Sequence, residues 1–283
     1  MIQEIKKIIV AGAGVMGAGI AQVCAMKGYE VVLFDIDSGA VEKGLKSIEK
    51  NLDKAIAIGK ATAQIKKNTL ELLSGTIQLE GLKADMVIEA VIEKIEVKTK
   101  LFNSLLVHNP SIILATNTSS IPITKISAAV DQPQQVIGIH FFNPAHIMKL
   151  VEVIQGAHTP NELKETAYNF VKSLGKTPII AKDAPGFIVN RVARHFYVES
   201  LKILEEQVAS HDEIDKLMVA SGFKMGPFTL MDLIGVETNL KVTESMFALF
   251  NYDEKFRPSR IQQQKADAGF YGRKTGKGFY EYD

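Results

Sequence analysis

The stretch that decides the fold is IIVAGAGVMGAGIAQVCAMKGYEVVLFD, which occupies residues 8–35. Residues 5–11 are typical of a short buried strand, and residues 15–27 have helical composition up to Gly28, a natural helix-ending glycine. Residues 30–34 form a second run rich in β-branched side chains. A strand, a glycine loop, a helix and a second strand in this order make a βαβ unit.

The glycine loop of this unit matches the pattern G-x-G-x-x-G. The residues predicted to bind a dinucleotide here are Gly12, Gly14, Val15, Met16 and Gly17. Glycines let the backbone approach a pyrophosphate, and the helix N-terminus offers unpaired N–H groups and a partial positive charge. Asp35 ends the second strand, where a carboxylate bonds ribose hydroxyls and repels a 2′-phosphate. The spacing therefore predicts NAD as the cofactor; the alternative is that the glycines only pack the helix on the strand.

Strand and helix patterns continue to alternate beyond this unit. Further strands are predicted at residues 76–78, 86–89, 112–115, 136–139, 150–154 and 178–181, and helices at residues 39–59, 62–73, 94–107 and 161–174. Alternation of this kind favours an α/β fold with a doubly wound, Rossmann-type, mostly parallel sheet.

The pattern changes after the sequence DAPG at residues 183–186. From Phe187 to about Lys265 only helical periodicity is present, interrupted by glycines. We therefore predict an NAD-binding domain at residues 1–184 and a smaller, all-helical domain for substrate binding and dimerisation at residues 185–283. The terminal sequence GFYGRKTGKGFYEYD is rich in glycine and aromatic residues and is predicted to be an ordered loop.

Composition excludes several classes of protein. The 283 residues include 33 Lys and Arg and 32 Asp and Glu, so a net charge of +1 provides no global attraction for nucleic acid or an anionic membrane. A single cysteine, Cys24, excludes an intramolecular disulfide and favours the reducing cytoplasm. Residues 8–26 are uncharged, but four glycines make them only weakly hydrophobic, so no membrane segment is expected. No histidine pair has helical metal-ligand spacing, and no metal site is predicted.

His140 and Glu152 are the candidates for acid–base chemistry. His140 follows the predicted strand at residues 136–139, and carboxyl ends of strands bind ligands in open α/β sheets. Strand alternation puts Glu152 on the same face as Leu150 and Ile154. Because an unpaired buried charge is costly, an imidazolium is the obvious partner. The alternatives are a structural histidine and a glutamate on a solvated edge strand.

Two further segments carry polar side chains at element ends. Asn117-Thr118-Ser119-Ser120 follows the predicted strand at residues 112–115, and Asn190 lies in the first turn of the helix after Pro185-Gly186. From the residues alone, the first segment is equally consistent with an ordinary turn. Asn190 is equally consistent with a residue that only satisfies backbone groups at a helix start.

With these residues assembled, the chain resembles the short-chain L-3-hydroxyacyl-CoA dehydrogenase family. The resemblance runs nearly end to end and rests on six motifs in fixed order: GAGVMGAGIAQ, ATNTSS, HFFNPAHIMKLVEV, PGFIVNR, MGPFTLMDLIG and GRKTGKGFYEY. Two small departures from the family pattern are Thr116, where serine is common, and the triplet Ala145-His146-Ile147. The second departure leaves the preferred acyl chain length open.

The resemblance implies roles for individual residues. It implies that His140 is the catalytic base, that Glu152 is its partner, and that Ser119 and Asn190 orient the substrate. It also implies cofactor contacts from Asp35, Glu93, Lys98, Ser119, Asn143 and Lys274. A homodimer formed mainly by the helical domain is implied as well, and the apolar run Met246–Phe250 is its predicted surface.

The expected reaction is oxidation of an (S)-3-hydroxyacyl-CoA, such as 3-hydroxybutyryl-CoA, by hydride transfer to NAD, with His140 taking the hydroxyl proton. The CoA phosphates are predicted to meet Lys46, Lys50 or Lys54, although a charged helix is usually just solvated. One alternative keeps the chemistry but uses a carrier-protein-bound or free hydroxy acid. Another is an NAD-binding protein without turnover, against which the complete set of catalytic residues argues.

Overall fold

The computed structural model describes residues 5–283, which divide into two compact units. The first unit ends at Ala184, and the second comprises Pro185–Asp283. Across residues 5–283, the helices are all too short or too polar to span a lipid bilayer.

The first unit is built on one sheet of eight strands among the described residues, in the order β3-β2-β1-β4-β5-β6-β7-β8. The strands are β1 (Lys7–Ala11), β2 (Glu30–Phe34), β3 (Leu73–Thr76), β4 (Met86–Glu89), β5 (Ile113–Thr116), β6 (Val136–Phe141), β7 (Leu150–Gln155) and β8 (Thr177–Lys182). The helices are α1 (Val15–Met26), α2 (Ser38–Ala57), α3 (Ala63–Glu71), α4 (Ile95–Leu106), α5 (Ile123–Ser127) and α6 (Asn161–Ser173). All neighbouring strands are parallel except β6 and β7, which confirms the predicted doubly wound, mostly parallel sheet.

The packing of this unit explains why the sequences of the strands are continuous apolar runs. Ile8 and Val10 of β1 are fully buried and belong to the same cluster as Ile20 and Cys24 of α1. Strands covered by helices on both faces have no solvated side, so apolar side chains fill successive positions. β1 lies between β2 and β4, and this reversal of strand order makes the crevice in which doubly wound sheets bind ligands.

Two strand predictions need correction. The strand predicted at residues 76–78 lies at Leu73–Thr76 and shares only Thr76 with the prediction, because its parallel pairing with β2 runs from Leu73 to Thr76. The predicted strand at residues 136–139 continues to Phe141, so His140 lies within β6 instead of after it. Antiparallel pairing with β7 causes the extension, because it joins His140 to Glu152 and Phe141 to Val151.

The second unit is helical, with α7 (Val189–Glu205), α8 (His211–Ala220), α9 (Pro227–Ile234), α10 (Val236–Leu249) and α11 (Arg260–Asp267). Its core contains Leu201, Phe228, Met231 and Val236. Gly235 joins α9 to α10 with φ +107°, a conformation that L side chains rarely adopt. The glycines that interrupt the helical periodicity of the sequence therefore separate consecutive helices.

The apolar run Met246–Phe250 is less exposed than predicted. Met246 is buried, and Phe250 is half-buried against the ring of Phe256 at 4.5 Å between centroids. The run spans the end of α10, so successive side chains point around the helix, and only Met246 among the five is buried. The exposed apolar side chains of this unit lie elsewhere.

The terminal loop is held by a buried aspartate. Asp232 accepts hydrogen bonds from the backbone N–H groups of Phe279 and Tyr280, each at 2.9 Å, and from the Tyr282 hydroxyl at 3.0 Å. Phe279 packs in the same core as Phe228. The loop is therefore ordered, as its glycine and aromatic composition predicts.

Candidate active site

The glycine loop between β1 and α1 requires its glycines. Gly12 has φ +103°, and a Cβ atom there would lie 2.5 Å from the Ala90 carbonyl oxygen. A Cβ atom at Gly17 would lie 1.7 Å from the Gly12 carbonyl oxygen. Both distances are far below van der Waals contact, so larger residues would force the loop apart. By contrast, apart from its neighbours in the chain, no described residue places an atom within 4 Å of the Cβ position of Gly14, which leaves open space at the start of α1.

This open space fits the pyrophosphate of NAD. Gly14 is the N-cap of α1, and within residues 5–283 no side chain caps this helix start and no acidic residue occupies its first turn. Val15 is 76% exposed, and the first N–H groups of a helix have no acceptor within the helix, so they are available to an anion here. The Asp35 carboxylate accepts a hydrogen bond from the Ala13 N–H at 2.8 Å, which fixes it beside the loop. Residues of this loop and Asp35 would hold the dinucleotide.

His140 and Glu152 form a buried pair. They are directly opposite each other in the antiparallel β6–β7 ladder, and His140 Nδ1 lies 2.8 Å from Glu152 Oε2. Glu152 is fully buried, and β7 lies between β6 and β8, so Glu152 is not on a solvated edge strand. A neutral imidazole that donates its Nδ1–H to a carboxylate carries its basic lone pair on Nε2. The pair therefore has the geometry of an oriented general base.

A second buried charge cluster lies at the carboxyl ends of β4 and β5. Lys98 of α4 is 1% exposed, and its Nζ lies 2.7 Å from Glu89 Oε1 and 2.9 Å from Glu93 Oε2. Glu89 also accepts hydrogen bonds from the Val91 N–H at 2.8 Å and the Thr116 hydroxyl at 2.7 Å. Threonine at position 116 thus supplies the hydroxyl that serine would supply. We call Glu89, Glu93 and Lys98 the carboxylate cluster.

The two carboxylates of the cluster have opposite pKa shifts. Burial raises the pKa of Glu89, and the Lys98 ammonium opposes the rise without cancelling it. Burial also raises the pKa of Glu93, but the Lys98 ammonium and the hydroxyls of Thr118 and Ser120 outweigh it, so that pKa lies below its ordinary value. Of the two carboxyl groups, Glu93 therefore gives up its proton more readily than Glu89.

Glu93 also organises the loop that carries Ser119. Its Oε1 accepts hydrogen bonds from the Ser119 N–H at 3.1 Å and the Ser120 N–H at 3.3 Å, and from the Thr118 hydroxyl. The Asn117 side chain begins the same loop, and its Oδ1 accepts the Phe141 N–H at 2.8 Å. This contact joins the loop to β6 next to His140.

The remaining predicted residues lie farther along the chain. Asn143 is exposed in the segment after β6. In the second unit, Asn190 is half-buried in the first turn of α7, and Lys274 is ion-paired with Glu237. Lys46, Lys50 and Lys54 lie on the solvated side of α2, opposite its buried stripe.

Two residues of this site were given no role from the sequence. Glu89 ends the apolar strand Met86–Glu89, and a carboxylate at the end of a strand buried on both faces is a signal of a partner. From the sequence alone, Asn117 is an ordinary turn residue, because its partner, the Phe141 N–H, is distant in the chain.

Comparisons with known proteins match both units. The family model described as "3-hydroxyacyl-CoA dehydrogenase, NAD binding domain" matches residues 7–184, and the one described as "3-hydroxyacyl-CoA dehydrogenase, C-terminal domain" matches residues 186–282. The chain is 44% identical, over its full length, to 3-hydroxyadipyl-CoA dehydrogenase of Escherichia coli, of which it spans 60%. It is 41% identical to a probable 3-hydroxybutyryl-CoA dehydrogenase of Bacillus subtilis, over 99% of this chain and 98% of that protein.

A solved structure agrees with these sequence matches. The crystal structure of (S)-3-hydroxybutyryl-CoA dehydrogenase from Ralstonia eutropha superposes with a TM-score of 0.93 at 39% identity, covering 99% of this chain and 100% of that one. The likeness therefore includes both units and all the strands and helices that carry the predicted residues.

Proposed function

Because the chain belongs to the 3-hydroxyacyl-CoA dehydrogenase family, we propose that it interconverts (S)-3-hydroxybutyryl-CoA and the corresponding 3-ketoacyl-CoA. The family, the class of NAD-dependent oxidoreductase and the cofactor agree with the sequence-based predictions and are confirmed. The observation that carries the catalytic proposal is the buried contact of 2.8 Å between His140 Nδ1 and Glu152 Oε2.

In the proposed mechanism, His140 is the general base. Its Nε2 takes the proton of the substrate hydroxyl, and in the reverse direction the imidazolium returns a proton to the ketone oxygen. Glu152 holds the imidazole in the required tautomer and stabilises the imidazolium, because the carboxylate lies within hydrogen-bond distance of Nδ1. NAD, held by the glycine loop and Asp35, would supply the acceptor for the hydride of the carbinol carbon. Ser119 and Asn190 are proposed to orient the reacting oxygen.

Further contacts to NAD are proposed for Glu93, Lys98, Asn143 and Lys274. The proposal is supported for Glu93 and Lys98 by their place at the carboxyl ends of β4 and β5, beside the loop of Ser119. For Asn143 and Lys274 the support is the family resemblance. Lys46, Lys50 and Lys54 recur every four residues on one exposed side of α2, which supports their proposed contact with the CoA phosphates.

The acyl group is the least defined part of the proposal, since the two curated relatives described above carry different substrate names. Initial rates with NAD should be compared for 3-hydroxybutyryl-CoA, longer acyl-CoAs, 3-hydroxyadipyl-CoA, the carrier-protein thioester of 3-hydroxybutyrate, and the free acid. We expect kcat/KM to be highest for 3-hydroxybutyryl-CoA. A higher kcat/KM for any other compound in this series would overturn the proposed substrate.

A homodimer is also proposed, with a second copy packed on the helical unit. The support is an almost wholly apolar groove of about 610 Å³ lined by Val192, Phe196, Phe223 and Leu230, among others. Val192 is 69% exposed and Phe223 is 50% exposed. Exposed apolar surface of this kind usually marks association.

The bacterial relatives further support a proposed location in the cytoplasm.

Sedimentation velocity at micromolar concentration tests the dimer. The wild-type protein is expected to sediment as a dimer, and Phe223→Lys is expected to shift it toward monomer. Leu217→Lys is the matched control, because Leu217 is 65% exposed on α8 but does not line the groove. A monomeric wild type would refute the proposal, and a shift caused equally by both variants would refute this choice of surface.

A further inference from the structure

The carboxylate cluster has an excess of negative charge. Two carboxylates, Glu89 and Glu93, share the one ammonium of Lys98, so with all three groups ionised the cluster has a formal charge of −1. The other donors that meet Glu89 are the Thr116 hydroxyl and the Val91 N–H, both neutral. The described residues therefore place no second cation on these carboxylates.

The cluster lies on the side of the sheet where the nicotinamide half of the cofactor belongs. A dinucleotide crosses a doubly wound sheet at the switch point, with its two halves on opposite sides. Asp35, the ribose-binding carboxylate of the adenosine half, follows β2, whereas Glu89 ends β4 on the other side of β1. His140, the proposed base for the hydroxyl on the carbon that faces the nicotinamide, lies on β6 beyond the cluster.

The nicotinamide ring changes charge during the reaction. It is a cation in NAD⁺ and neutral in NADH, so nearby negative charge stabilises the oxidised form relative to the reduced form. The effect is not lost to solvent screening, because Glu89 is fully buried and Lys98 is 1% exposed. A charge fixed by the fold thus acts selectively on one redox state of the cofactor.

We propose that the carboxylate cluster lowers the reduction potential of the bound nicotinamide, and that Glu89 supplies the charge that makes the cluster net negative. Glu89 acts through the field and through Lys98 and is a positioning residue, with no contact to substrate required. The inference rests on the proposed function only for the side of the sheet on which the nicotinamide lies. It predicts that the ratio of the NADH and NAD⁺ dissociation constants is higher for the wild type than for a variant whose cluster is neutral.

The test is the ratio of the dissociation constants for NADH and NAD⁺, measured by calorimetry without substrate at about pH 8. Glu89→Gln removes one negative charge; its amide oxygen can still accept from Lys98 Nζ and the Val91 N–H, and its NH₂ group can donate to the Thr116 hydroxyl. We expect NAD⁺ binding to weaken about fivefold with NADH binding little changed, which is the size of one partly screened unit charge. The potential of the bound couple then rises by about 20 mV, since tenfold corresponds to 29.6 mV for two electrons.

Two other variants make the outcome decisive. Glu96→Gln removes the same charge from an exposed position on α4 outside the cluster, and its ratio should equal that of the wild type. Glu93→Gln removes a charge from the partly exposed member, and it decides the question if Glu89→Gln does not fold. Equal weakening of NAD⁺ and NADH, or no change of the ratio, would overturn the inference. Because no substrate is present, a failure of the proposed reaction would appear only in turnover assays.

Discussion

The His140–Glu152 pair and the carboxylate cluster lie at the same end of one sheet and bury charge in two different ways. The pair joins two strands in antiparallel register, and its two side chains meet at 2.8 Å. The cluster joins β4, β5 and α4 through one ammonium, two carboxylates and a threonine hydroxyl. In the pair, the fully buried Glu152 contacts an imidazole nitrogen, and in the cluster, the fully buried Glu89 contacts an ammonium nitrogen.

The difference between them is whether the nitrogen is suited to exchange protons near neutral pH. Imidazole is the side chain whose ordinary pKa permits this, whereas an ammonium enclosed by two carboxylates serves as a fixed charge. The strand register gives His140 one carboxylate, which orients a base. The cluster gives Lys98 two carboxylates, which leaves an excess negative charge. The proposed roles differ accordingly: proton transfer at the pair and a constant field at the cluster.

Replacing His140 by glutamine has the largest expected effect, because it removes the proposed base from the pair and leaves the cluster intact. Turnover of 3-hydroxybutyryl-CoA should fall by about 10²–10⁴-fold, the usual contribution of a general base. Glutamine keeps polar bulk opposite Glu152, so folding should be preserved. Steady-state kinetics with saturating NAD measure the effect.

The control for this variant is the protein's affinity for NAD and its melting temperature. Both should stay close to the wild-type values, since the glycine loop and Asp35 are on other strands. Glu152→Gln should reduce turnover in the same direction but less, because it loses charge stabilisation while an amide oxygen can still accept the Nδ1–H. Near wild-type turnover in a folded, NAD-binding His140→Gln protein would show that the histidine is structural.

Replacing Lys98 by methionine tests the other side of the comparison, the fixed charge. The change leaves two neighbouring carboxylates without their cation, and removal of one partner from a buried ion pair typically costs about 3 kcal/mol or more. The free energy of unfolding, measured with urea, should fall by about that amount near pH 7. Lys100→Met, an exposed change on the same helix, should leave it within about 0.5 kcal/mol.

The pH dependence of this loss follows from the pKa shifts. In the wild type, Glu93 has a lowered pKa, so its stabilisation is present above the pKa of an unfolded glutamate and is lost as pH falls. Glu89 has a raised pKa, so its contribution has the opposite sign and is lost as pH rises. Without Lys98 the pKa of Glu89 loses its largest lowering cause and burial is opposed only by the hydrogen bonds from Thr116 and Val91, so the variant should gain stability from about pH 7 to about pH 5. A stability difference that stays constant over this range would contradict the account.

Local sequence patterns were sufficient for the parts of the molecule that depend on neighbours in the chain. The loop from Gly12 to Gly17 and the carboxylate of Asp35 all lie within one βαβ unit, whose spacing specifies their geometry. The pairing of His140 with Glu152 was also predicted, because a glutamate on an apolar strand face needs a partner. The register that makes them direct neighbours was not predictable from either strand alone.

Contacts between distant segments account for what the sequence did not reveal. Residues 136–139 predict a strand, but only pairing with β7 extends it to Phe141. Glu89 belongs to the site through its contacts with Lys98 and with Thr116, which lies 27 residues later in the chain. The apolar run Met246–Phe250 looked exposed because its composition says nothing of which side chains the helical core covers.

The smallest expected effect concerns Asn117, whose side chain links the loop of the carboxylate cluster to the strand of the base. The parallel β5–β6 ladder ends at the Thr116–Gly138 pair, and beyond it the Asn117 Oδ1 accepts the Phe141 N–H at 2.8 Å. In Asn117→Ala this N–H loses its acceptor and the backbone next to His140 loses a restraint, at a cost of about 1 kcal/mol. We expect kcat to fall about fivefold while the ratio of NADH and NAD⁺ affinities is unchanged, because no charge is altered. Asn117→Asp keeps an acceptor at this position and should restore the melting temperature. If Asn117→Ala instead shifts the affinity ratio as Glu89→Gln is expected to do, the pair and the cluster are parts of one coupled network and their separation is wrong.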